Sequence, residues 1–164
     1  MKKLCVENGF LHVGEPGSGH YVKLVHNGIE FGMLQAIGEG VELLKHSDFA
    51  LDLAKVFKVW SNGSVIRSWL VELMAQGLSR QNGLDGISDF VEDTGEVNWL
   101  VGEAIEKEIP VPVITQSVLE LFKSRQQCCD AAKDVALMRN GFGGHPFGKD
   151  EYIAKERKES KIKE

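Results

Sequence analysis

The sequence predicts an all-α fold, a helical bundle opened by one long N-terminal helix and followed by an extended C-terminal tail. Apolar residues recur at three- and four-residue spacing in successive windows, and no segment sustains the alternation of a half-buried strand. No short internal repeat appears. With 164 residues, 43% hydrophobic and 26% charged, the chain is long enough to bury a core of its own and lies outside the composition of disordered proteins.

Residues 1–16 form a connecting segment, with Asn8-Gly9 as a turn and Gly14-Glu15-Pro16-Gly17 as the loop into the first helix. That helix is expected from Ser18 to Lys45, with Val22, Val25, Ile29, Met33, Ala36, Ile37, Val41 and Leu44 as its buried face. A second helix is expected over Asp48–Trp60, capped by Ser47 or Asp48, with Phe49, Leu53, Val56, Phe57 and Trp60 facing the core and Ser61-Asn62-Gly63-Ser64 breaking it. Residues 65–79 read as a third helix through Ile66, Leu70, Leu73 and Met74. The stretch 81–96 is rich in Gly, Asp and Asn and reads as loop, with one short helix around Gly86–Phe90.

A fourth helix is expected over Asn98–Glu108, and Ile109-Pro110-Val111-Pro112 resets the chain because proline lacks an N–H and restricts its predecessor. One long helix from Val113 to Arg139 then closes the body, with Ile114, Val118, Leu121, Phe122, Ala132, Val135 and Ala136 as its stripe. The charged run Lys149–Glu164 reads as a frayed helix or a disordered end.

Within the first helix, Lys23, His26, Asn27 and Glu30 stand at i, i+3, i+4 and i+7, so an amine, an imidazole, an amide and a carboxylate share one stripe. Such a stripe is either a solvated helix face, with pairs adding a few tenths of a kcal/mol, or the inventory of an acid–base site. Gly28, Gly32, Gly38 and Gly40 each cost roughly 1 kcal/mol of helix propensity relative to Ala, which implies close approach of another element or a ligand.

The formal net charge of −5, with Lys and Arg interspersed among acids, argues against a nucleic-acid surface. No window is long enough to cross a bilayer, and Met1–Val6 lacks a signal-peptide apolar region, so a cytoplasmic protein without membrane attachment is expected. Cys5, Cys128 and Cys129 read as reduced, mostly buried residues. No metal site is indicated, since His20 and His26 lie off the spacing that would share an ion.

The run Gly17-Ser18-Gly19-His20-Tyr21-Val22-Lys23-Leu24-Val25-His26-Asn27-Gly28-Ile29-Glu30-Phe31 closely resembles the signature of decarboxylating 6-phosphogluconate dehydrogenases, Gly-x-Gly-His-aromatic-Val-Lys-x-Val-His-Asn-Gly-Ile-Glu-aromatic. Trp60–Leu70, Asp93–Trp99 and Arg139–His145 resemble further elements of that family, and the likeness runs from about Leu4 to Gly144. Related 3-hydroxyacid dehydrogenases share the Gly-x-Gly, the Lys and the Asn but usually lack the His-Asn-Gly-Ile-Glu continuation. The resemblance implies the C-terminal helical domain of this family, with 17–139 as the substrate-binding and dimerisation domain and 140–164 as a tail that inserts across a homodimer.

The implied reaction is oxidative decarboxylation of 6-phosphogluconate to ribulose 5-phosphate in the pentose phosphate pathway. Lys23 and Glu30 are the catalytic candidates, Lys23 as general base and then acid, Glu30 as proton donor to the enediol carbon. For that role Lys23 must be neutral part of the time, which burial beside other polar groups would favour. His26, Asn27, Phe31, Arg139 and His145 are the substrate-binding candidates, the last two reaching a neighbouring subunit's substrate. The cofactor implied is NAD or NADP, held by a dinucleotide-binding domain that this chain lacks; Gly17-Ser18-Gly19 does not replace it, having neither a third Gly at the fingerprint spacing nor a preceding strand.

Some substrate-anchoring positions depart from the family pattern. Phe31 stands where Tyr is frequent, Thr94 and Glu96 where Lys and Thr are common, and Leu121 where the family has a helix arginine, although Lys123 and Arg125 lie within one turn. The chain alone, with no hydride acceptor, is expected to be inactive, and the altered anchoring positions leave two alternatives open. One is the domain of a related 3-hydroxyacid dehydrogenase, the other a non-catalytic helical oligomerisation module.

Overall fold

A computed structural model describes residues 4–80, 84–126, 130–144, 146–149 and 151–152. Among them the chain forms six helices and no strand: α1 (Ser18–Lys45), α2 (Leu53–Gly63), α3 (Trp69–Leu78), α4 (Glu96–Glu106), α5 (Pro112–Ser124) and α6 (Asp130–Gly143). They divide into two compact units, Met1–Arg125 with α1 to α5 and Gln126–Glu164 with α6.

α1 is the spine of the first unit, and its two halves pack on different partners. Its C-terminal half contributes buried Val41, with Ile37 and Leu44, to a core completed by Phe57 of α2 and by Val71 and Ala75 of α3. The Phe57 and Trp60 rings meet there with centroids 5.0 Å apart. Its N-terminal half packs on α4 and α5, which bury Val97, Leu100, Ala104 and Val118.

That second contact depends on missing side chains. Gly28 and Gly32 are buried on α1, and a Cβ on Gly28 would overlap Leu100 Cδ2 while lying 3.2 Å from two Ile114 carbons. A Cβ on Gly32 would stand 3.3 Å from Val113 Cγ1. Close approach thus offsets the propensity cost at these two glycines. At Gly38 and Gly40 nothing among the described residues lies within 4 Å of a built Cβ, so no described element of this chain offsets the cost there.

The same contact rotates the buried face of α1 away from the expected stripe. Val41 is buried and Val25, Ile37 and Leu44 are half-buried, but Val22, Ile29, Met33 and Ala36 are exposed in this chain. The Gly28–Gly32 strip admits α4 and α5 more closely than larger apolar side chains could, and packing follows the strip.

Helix ends differ where local hydrogen bonds decide. α2 begins at Leu53 because the Asp52 carboxylate caps it, accepting from the Lys55 N–H at 3.1 Å. Ser47 instead donates to the Leu44 carbonyl as α1 ends, and Phe49 is exposed. α2 continues through the expected breaker to Gly63, with the Ser61 and Asn62 side chains both donating back to the Lys58 carbonyl. α3 starts at Trp69 with Ser68 as its cap and buries Val71 and Ala75, whereas Ile66 and Leu73 are exposed. No helix forms over residues 86–90, where Gly86 (φ 80°) makes a turn. Gly95 (φ 80°) begins α4 two residues early.

The expected helix from Val113 to Arg139 is two helices. Pro112 opens α5 as its first residue, the position where a missing N–H costs nothing. α5 ends at Ser124, and α6 resumes at Asp130 and runs past Arg139 to Gly143. Of the expected stripe, Val118 is buried and Ile114, Leu121 and Ala136 are half-buried, while Phe122, Ala132 and Val135 are exposed. Cys5 is exposed, contrary to expectation. Cys128, Cys129 and the run from residue 153 lie outside the described residues.

The glycine contact makes opposite predictions at two positions. Gly28→Ala is expected to destabilise the chain by about 1–2 kcal/mol, because overpacking against buried Leu100 exceeds the propensity gain. Gly38→Ala is expected to stabilise it by up to about 1 kcal/mol. Urea midpoints of the two variants, measured side by side, check both signs.

Candidate active site

The first turns of α1 carry the polar stripe, and α4 supplies the facing wall. Lys23 Nζ donates to Asn27 Oδ1 at 2.5 Å and lies 3.2 Å from His26 Nδ1. His26 Nδ1 is 3.8 Å from Glu30 Oε2. Across the helix pair, Asn27 Nδ2 donates to Glu96 Oε2 at 2.7 Å, so an amide joins the two helices.

A cleft of about 380 Å³ opens here, lined by His20, Tyr21, Lys23, Leu24, Asn27, Glu96 and Trp99. Lys23 and Asn27 therefore face the cleft, whereas His26 and Glu30 continue the stripe beside it. Lys23 and His26 are exposed and Asn27 and Glu30 half-buried, so the burial expected around Lys23 is not supplied by the described residues of the first unit. The physical reason is that helix α4 walls one side of the stripe only. At the rim, Lys107 Nζ lies 5.3 Å from the Tyr21 ring centroid. The hydrogen bond that this ammonium donates to the Glu103 carboxylate, 2.6 Å away, raises its pKa above the usual value.

Arg125 lies within a turn of Leu121 but is committed elsewhere. Its Nη2 meets the Asp93 carboxylate at 2.8 Å and its Nε donates to the Val91 carbonyl at 2.6 Å, while Ser124 Oγ accepts from the Val91 N–H. These bonds tie residues 91–93 to the end of α5. Lys123 pairs with Glu120 at 3.1 Å. Neither cation lines the cleft, so neither takes the place of the helix arginine.

Phe31 is half-buried on α1, and Arg139 is exposed on α6 in the second unit. His145 lies outside the described residues. Among the described residues no group of three His, Cys, Asp or Glu side chains could hold a metal ion, and no helix is long and apolar enough to cross a membrane. Glu96 was legible only as a departure from a pattern; its bond to Asn27 spans 69 positions and no local spacing signals it.

Residues 19–159 match the family model described as 6-phosphogluconate dehydrogenase, C-terminal domain. The chain belongs to this family. It is 46% identical over 145 residues to the YqeC protein of Bacillus subtilis, covering 88% of this chain and 49% of that one. It is also 46% identical over 140 residues to the NAD(+)-dependent, decarboxylating 6-phosphogluconate dehydrogenase of Haloferax volcanii, covering 84% and 46%. A solved 6-phosphogluconate dehydrogenase of Plasmodium falciparum, described in apo form and in complex with NADP+ and with 6-phosphogluconate, superposes with a TM-score of 0.63 at 30% identity. That superposition covers 85% of this chain and 30% of the other. The chain spans about half the length of the first two relatives, and the all-helical structure is that of the family's C-terminal domain.

The Arg125 network predicts a stability effect separate from the cleft. Arg125→Ala leaves the nearly buried Asp93 carboxylate unpaired and is expected to cost about 2–3 kcal/mol. Asp93→Asn, which removes the charge, should cost less. Chemical denaturation of the two variants checks that order.

Proposed function

We propose that this chain supplies the substrate-binding and acid–base part of a site that oxidatively decarboxylates 6-phosphogluconate to ribulose 5-phosphate. The observation that carries the reading is the Lys23–Asn27 hydrogen bond, with His26 beside it and Glu30 one turn on, along one face of α1. In a 6-phosphogluconate dehydrogenase such a face meets a short sugar acid held in one orientation.

In this reading Lys23 accepts the proton of the hydroxyl being oxidised. Loss of carbon dioxide from the resulting β-keto acid leaves an enediol, and Glu30 delivers a proton to its carbon. His26, Asn27 and Phe31 contact the substrate. Arg139 and His145 reach the substrate of the other subunit of a homodimer, where the planar guanidinium meets the phosphate with two hydrogen bonds. Support for a homodimer is the apolar face that α1 leaves exposed at Val22, Ile29 and Met33.

Gly17 precedes α1 at φ 96°, with no strand leading into it among the described residues. NAD or NADP, which supplies the hydride acceptor, is assigned to a separate dinucleotide-binding domain, and no step through it is derived from this chain. Turnover by this chain with added NAD or NADP would overturn that assignment.

A second reading, a related dehydrogenase acting on another 3-hydroxy acid, is favoured by one observation. Glu96 brings a carboxylate into the cleft while Arg125 is held away from it by Asp93. Titration calorimetry with 6-phosphogluconate separates the two. The expected result is binding that weakens about tenfold or more in Lys23→Ala, as for loss of a charge-assisted hydrogen bond, and further when Arg139→Ala is added. Binding indifferent to both substitutions would remove 6-phosphogluconate as the ligand of this site.

A further inference from the structure

The Asn27 amide has two ends that differ chemically but hardly in shape, so packing alone does not fix which end faces Lys23. Its oxygen can only accept and its nitrogen can only donate. Lys23 offers it an N–H, and the Glu96 carboxylate can only accept. The amide lies between them, with Oδ1 on Lys23 Nζ and Nδ2 on Glu96 Oε2. Turned by half a rotation, it would set its NH2 against the Lys23 N–H and its oxygen against the carboxylate.

We propose that Glu96 is a positioning residue of the acid–base site: it locks the Asn27 amide so that its carbonyl receives Lys23, and so holds the Lys23 amine at the cleft. This inference rests on the proposed reading of Lys23 as the proton acceptor. Three features of the fold place Glu96 there. Gly95, in the left-handed region at φ 80°, turns the chain into α4, making Glu96 its first residue. That end of a helix favours an anion. Leu100 lies one turn further along α4 and rests on Gly28, the residue next to Asn27, so the apolar contact sets the register in which Asn27 and Glu96 meet.

A threonine at position 96, the common residue of the resembling pattern, would not impose the same orientation, because a hydroxyl can donate or accept. A glutamine, which can turn either its carbonyl or its NH2 toward Asn27, would not either, although it keeps the bulk of Glu96. The glutamine substitution therefore separates acceptor-only chemistry from bulk.

The test uses the full 164-residue chain as wild type, Glu96→Ala, Glu96→Thr and Glu96→Gln. Proton–nitrogen correlation spectra identify the Asn27 side-chain amide by its loss in Asn27→Ser, and calorimetry measures 6-phosphogluconate binding. Thermal melts within 2 °C or so of wild type show that the substitutions leave the fold intact. In the wild type the Asn27 amide proton donated to Glu96 is expected downfield of its free-amide position, the shift being lost in Glu96→Ala and reduced in Glu96→Thr and Glu96→Gln. Affinity should fall about fivefold in Glu96→Ala and by a smaller factor in Glu96→Gln. Asn27 amide signals unchanged in Glu96→Ala, or Glu96→Gln indistinguishable from wild type in both readouts, overturn the inference. Absence of binding to the wild type overturns the proposed substrate, while the amide signals still decide the positioning role.

Discussion

The close approach of α1 to α4 and α5 at Gly28 is the constraint on which the rest of this structure depends. Without a side chain there, Leu100 and Ile114 seat against the α1 backbone, and Leu100 is buried by doing so. Two rigid helices in close contact have little freedom to slide, because each ridge is caught in the facing groove. Asn27 and Glu96 lie beside this seam, and their polar contact inherits its register. Packing energy thus becomes positional accuracy at the amide, which a pair of flexible side chains on an open surface would not achieve.

The electrostatics of the cleft follow from what the fold does with its charges. Lys23 faces the cleft, while Glu96 lines the opposite wall and is bridged to it through an amide rather than by a direct ion pair. Arg125 stabilises the turn before α4, where Asp93 is nearly buried and a desolvated carboxylate must be paired. A cation spent on structure is unavailable to a ligand. Among the residues that line the cleft Lys23 is the one lysine or arginine, with Lys107 at the rim, so its placement matters more than it would in a site lined by several cations.

α1 also shows how one helix can carry two kinds of face. Its C-terminal half is held by aromatic and β-branched side chains from α2 and α3, with Phe57 and Val71 almost wholly excluded from water. Its N-terminal half is held through glycines and presents the polar stripe at the margin of that contact. The exposed side, with Val22, Ile29 and Met33, is apolar enough that burial against another surface would be favourable.

The extent of α1, the helical class of the chain and the shared face of Lys23, His26, Asn27 and Glu30 were legible in the sequence, because each depends on contacts within one or two helical turns. The closing helix was not: its periodicity continues across residues 125–130, but Arg125 turns to residues 91–93, and no local pattern announces a partner more than thirty positions away. Which face of α1 is buried was misjudged for a related reason. Hydrophobic periodicity marks faces that can be buried, and the glycine strip selected another by letting the backbones meet. The sequence by itself determined the helical class, the extent of α1 and the chemical groups along it, since local propensity and spacing suffice for these. Only the tertiary structure decided that Glu96 stands across from Asn27 and that Arg125 does not reach the cleft, because those outcomes follow from how closely whole helices can approach.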